Sequence, residues 1–177
     1  SNSKSAARPA ELLDGLGKHT HPIRTREELA QKFFDQGMAL IYGFNHDEAA
    51  RLFARAADLD PASPMPHWGI ALALGPNYNL PPMPDREEKA WRAIESAMKL
   101  AADAPENERA YVEALVKRYS KDPAADRAQL AVAYKDAMKA VMTRYPDDLD
   151  AATLYAESLM NLRPWQLWTA EGEPAEG

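Results

Sequence analysis

Residues 33–61 read FFDQGMALIYGFNHDEAARLFARAADLDP, and this stretch decides the fold. Phe33, Gly37, Leu40 and Ile41 recur at helical spacing on its first half, and Ala49, Leu52, Phe53, Ala56 and Leu59 on its second. The break falls at Gly43–Asn45. Asn45 is placed to cap the second helix, Glu48 three residues on completes a capping-box pattern, and Pro61 stops the helix. Small residues at Gly37, Ala49 and Ala56 alternate with bulky Phe33, Leu40 and Phe53, which lets two helices approach closely and interlock. The reading is a helical hairpin.

The rest of the chain repeats that grammar. Thr25 with Glu28 predicts a capping box ahead of the first helix, and Ser63 with Pro64 a cap and first turn for a helix reaching about Gly75. Residues 75–84 (GPNYNLPPMP) hold too many prolines to be helical, and the next helix is expected to be capped at Asp85–Glu88. Asp103 with Pro105, and Asp122 with Pro123, predict two further helix starts; Leu130, Tyr134, Met138 and Val141 share a face on the second. A last helix is expected from Asp148 to Leu162, broken at Arg163–Pro164.

This pattern resembles the tetratricopeptide repeat, a helical hairpin of about 34 residues with aromatic, small, bulky, Ala, aromatic, Ala and Pro slots. Phe33, Gly37, Leu40, Ala49, Phe53, Ala56 and Pro61 fill them, while Gln36 departs from the Leu usual there. Residues 45–49 (NHDEA) and 74–81 (LGPNYNLP) are also similar to segments of a group of bacterial repeat proteins without an assigned activity. The resemblance implies an all-α, right-handed superhelix of about three and a half hairpins. It spans residues 25–162, with a leader at 1–24 and a tail at 163–177. It further implies a non-catalytic scaffold that takes a protein or peptide into its concave groove, where Phe34, Met38, Ile41, Tyr42, Trp68 and Leu72 would form an apolar lining.

Composition narrows the classes. The chain has 177 residues, 46% of them hydrophobic, enough for one domain with a core. A net charge of −6 without a basic stripe argues against nucleic acid. No apolar run approaches the roughly 20 residues that span a bilayer. Cysteine is absent, which removes thiol catalysis and thiolate metal sites. Ser1 and Asn2 read as a tag remnant, so the compartment stays open between cytoplasm and periplasm.

Other candidate sites are the stiff loop carrying Asn77, Tyr78 and Asn79, and the histidines. His19 and His21 form an HxH pair able to face one metal ion, with His46 as a further ligand; joined by the Asn77–Asn79 loop, they define an alternative metal- or small-molecule site at one end of the first two repeats. Carboxylate pairs such as Glu27–Glu28, Glu87–Glu88 and Asp147–Asp148 all fall at helix starts, where they offset the dipole. No phosphate loop or nucleophile elbow is present, and no motif asks for a cofactor. Leftover Trp165 and Trp168 in an acidic tail suggest either a chain that continues, a fold-back cap, or a dimer contact.

Overall fold

A computed structural model describes residues 9–175, and among them every regular element is helical. The helices are α1 (Glu28–Tyr42), α2 (His46–Leu59), α3 (Pro64–Leu74), α4 (Pro84–Leu100), α5 (Glu106–Val116), α6 (Arg127–Arg144) and α7 (Leu149–Met160). The fold is all-α, and no described helix is long and apolar enough to cross a membrane.

The deciding hairpin forms as its residues dictate. The Gly43 amide bonds back to the Ala39 carbonyl, Phe44 takes the left-handed conformation (φ 60°), and the Asn45 side chain accepts from the Glu48 amide at 3.4 Å. Three other helix starts differ from expectation. Thr25 Oγ accepts from the Glu27 amide but donates to Asp60 at 2.6 Å, so α1 begins only at Glu28. Pro84 itself opens α4, because its fixed φ suits a first helical turn. Asp122 folds onto its own backbone by accepting from the Ala124 amide (2.8 Å), which leaves Asp126 to cap α6.

Each helix packs on its sequence neighbours, and α3 also touches α1 and α5. That double demand explains why α3 is apolar on all sides, with Met65, Trp68, Ala71, Leu72 and Ala73 buried. Phe53 of α2 is the interlocking piece: it is fully buried, and both Gly37 of α1 and Gly69 of α3 face its ring so closely that a Cβ on either would lie 2.5 Å from a ring carbon. Phe34, Phe53, Trp68 and Tyr111 continue as a run of packed rings, centroids 5.2 to 6.4 Å apart. Trp68 Nε1 donates to the Tyr111 carbonyl at 3.1 Å, tying α3 to α5.

Residues 9–27 run along α1 without regular secondary structure, turning at Asp14 and Gly15. The Gln36 side-chain amide accepts from the Leu13 amide (2.9 Å) and donates to its carbonyl (2.8 Å), as a strand partner would. Gln31 does the same between the Ile23 amide and the His21 carbonyl, and Asp35 accepts from the His21 amide. Further on, the Arg24 amide donates to Glu108 and its guanidinium to the Asp103 carbonyl. Gln36, the departure from the repeat pattern, therefore holds the leader.

Candidate functional site

The predicted groove is not an open strip. Phe34, Met38, Ile41, Trp68 and Leu72 are buried in the core, and Tyr42 is half-buried. The His21 ring covers part of this surface, 6.0 Å from Phe34 and 5.3 Å from Tyr111. α1 and α3 pack directly on each other and bury these positions between them, and the leader covers part of what is left. Tyr42 keeps a polar role there.

That role belongs to a cluster that joins the leader to the start of α7. His21 Nδ1 lies 2.7 Å from Asp150 Oδ2, His19 Nε2 lies 3.2 Å from Asp150 Oδ1, and Tyr42 donates its hydroxyl to Asp150 at 2.5 Å. Beside it, Asp148 caps α7 through the Asp150 and Ala151 amides and accepts the Tyr111 hydroxyl at 2.8 Å. Burial by itself favours neutral His21, but the hydrogen bond and charge of Asp150, with Asp148 and Asp35 behind, outweigh it and raise the imidazole above its ordinary range. Asp150 is pulled the other way: burial would raise it, yet His21 and Tyr42 hold it below the usual carboxylate range. His46 is not part of this cluster. It sits beside the Phe44 ring, in a shallow depression with Asn77, Asn79 and Arg86, so the sequence-predicted site divides into two places.

The proline-rich loop shapes a second, larger cavity of about 480 Å³. Asn77 and Leu80 exchange backbone hydrogen bonds (2.9 and 3.0 Å), and Asn77 Oδ1 accepts from the Asn79 amide, so these groups set the turn. Arg86 closes the end of α3 by donating to the Ala73 and Leu74 carbonyls. The loop stands over α6 and α7, with the Trp165 ring tilted against Tyr78 at a centroid distance of 5.1 Å to complete the rim. Trp165 touches Tyr78, yet most of its surface, like that of Trp168, is exposed.

Inside, the walls are apolar: Leu80, Pro81, Leu130, Val132 and Leu162. At the wall stands Arg118, a buried residue whose guanidinium lies 5.3 Å from the Tyr134 ring centroid and has no ion-pair or hydrogen-bond partner among the described residues. Burial disfavours its charge, but Tyr119, Glu157 and Glu87 nearby more than compensate, so it stays protonated. Glu87 is engaged by Arg127, and Glu157 accepts from Asn161 at 2.6 Å. The Tyr134 hydroxyl and Asn161 Oδ1, both on cavity-lining residues, are buried without a partner among the described residues, as is the other Glu157 oxygen. Native interiors rarely leave several such groups together.

Sequence reading singled out the loop but missed Arg118, Tyr134, Asn161 and Asp150. An Arg in a helix-end context and an Asn after a helix carry no motif, and the DxD of residues 148–150 resembles any capped helix start. Compared with protein-family models, curated proteins and solved structures, the chain matches none of them.

Proposed function

We propose that this protein is a non-catalytic binding module, built from tetratricopeptide-like hairpins, that holds an organic ligand in the cavity beneath the Asn77–Asn79 loop. The observation that carries the reading is Arg118: a largely buried cation with no ion-pair or hydrogen-bond partner among the described residues, beside an apolar cavity where the Tyr134 hydroxyl and Asn161 Oδ1 also lack one. Sites for small organic ligands have this make-up, an apolar body with few fixed polar groups. The ligand chemistry is an apolar or aromatic body with a carboxylate head. A free acid and the C-terminal residue of a peptide share it. A binding role rather than a catalytic one is favoured because, among the described residues, no His lines the cavity and Ser158, the one lining hydroxyl besides Tyr78 and Tyr134, donates to the Tyr155 carbonyl at 2.6 Å.

Titration calorimetry tests this with two probe series, free aryl-alkyl carboxylates and short peptides ending in Phe or Leu, each beside its amide. Binding in the first series alone identifies a metabolite site, and in the second alone a peptide site. Arg118→Gln should weaken either by about tenfold to a hundredfold, the range for a charged hydrogen bond. Trp165→Ala, an exposed change that leaves the core intact, should weaken both acid and amide. Equal affinity of acid and amide, or none for either series, rejects the proposal.

A further inference from the structure

The cluster where the leader meets α7 has no part in that cavity, and its donor set points elsewhere. Two nitrogens come from His19 and His21 of the leader, which both turn to Asp150. Two carboxylates come from Asp148 and Asp150 at the start of α7. Ligand atoms of His21, Asp148 and Asp150 all lie within 4.8 Å of one another, and His19 Nε2 reaches Asp150 at 3.2 Å. We propose that these four side chains form a binding site for a divalent transition-metal ion of the zinc type.

Three features favour a cation over a plain hydrogen-bonded tie. A tie between leader and helix needs one carboxylate; here a second, Asp148, is held close to the first, and repulsion between them is relieved by a dication. The acids are also oriented from behind: Tyr42 donates to Asp150 Oδ1 and Tyr111 to Asp148 Oδ2. Outer partners of this kind fix ligand carboxylates in metal centres. Finally, imidazole nitrogens with carboxylate oxygens in a four-ligand set match zinc-type ions better than magnesium or calcium, which prefer oxygen alone. The dipole of α7 opposes a cation at its start, but Asp148 already offsets it by accepting from the Asp150 and Ala151 amides. Bound metal would clip the leader to a helix 129 residues away in sequence.

The test uses the full chain with Zn²⁺ and Co²⁺ as probes, read by calorimetry and by the visible absorption of Co²⁺. One equivalent should bind, raising the melting temperature and protecting the leader from proteolysis. His19 is one-third exposed, so His19→Gln should fold normally yet bind at least tenfold more weakly. Tyr42→Phe should lose about tenfold to a hundredfold through the freed Asp150 carboxylate. Failure of both ions to bind stoichiometrically, or binding indifferent to His19→Gln and His21→Gln, overturns the site. Neither result bears on the Arg118 cavity.

Discussion

Replacing Gly69 by Ala tests the interlock at the centre of the fold, because two effects of opposite sign compete there. Ala in a helix interior is favoured over Gly by about 0.5–1 kcal/mol, so propensity alone predicts stabilisation. Packing predicts the reverse. The new methyl would meet Phe53 ring carbons at 2.5, 2.6 and 2.7 Å, about 1 Å inside normal contact. The ring cannot retreat, since Gly37 faces it equally closely from α1 and Phe34 packs at 5.2 Å. Overpacking of this kind costs about 1–3 kcal/mol, leaving a net loss of up to about 2.5 kcal/mol for Gly69→Ala and a similar one for Gly37→Ala. In urea, with a slope of about 2 kcal/mol per molar, the midpoint should fall by up to about 1.25 molar. The same substitutions made beside Phe53→Leu should become neutral or stabilising, as the ring is gone, and the two glycine changes together should exceed their sum. A higher midpoint for Gly69→Ala in the parent chain would refute the reasoning, since it would mean the ring has room to move.

Two further outcomes follow from the leader and its anchor. Gln36→Leu, which restores the residue usual in the repeat, should leave the urea midpoint nearly unchanged yet speed tryptic cleavage at Lys18 several-fold, because both hydrogen bonds to Leu13 are lost; unchanged cleavage would show that Gln36 does not hold the leader. Glu108 is buried, with one carboxylate oxygen unpartnered and the other accepting from Arg24, and burial raises its carboxyl above the ordinary range despite Arg24. A raised acid binds its proton more tightly in the folded state, so its contribution is full below about pH 4 and is lost as pH rises through the raised native value. Glu108→Gln should therefore gain stability relative to the parent chain between about pH 4 and pH 7, and a pH-independent difference would contradict the burial argument.

How much of this was legible in the sequence differs between elements. Helix α2, its Asn45 cap and the alternation of small with bulky residues along the hairpin could be read from local spacing, because caps and a 3.6-residue period act within a few residues; that Gly37 and Gly69 both face Phe53 could not. The start of α6 could not, since Asp122 and Asp126 are both good caps and the choice between them depends on which turn packs. The open groove failed for a related reason: Phe34, Met38 and Trp68 look alike in sequence whether they line a surface or fill a core. The HxH pair was legible as two donors, but not its partners, because Asp148 and Asp150 meet it only when α7 closes on the leader. Arg118 became notable only through its lack of an ion-pair partner among the described residues, a property of its surroundings. Sequence by itself determined the all-helical hairpin architecture, which short-range hydrogen bonding and burial period dictate. Only the tertiary structure decided which polar groups gather and which stay unsatisfied, because those depend on contacts between segments far apart in the chain.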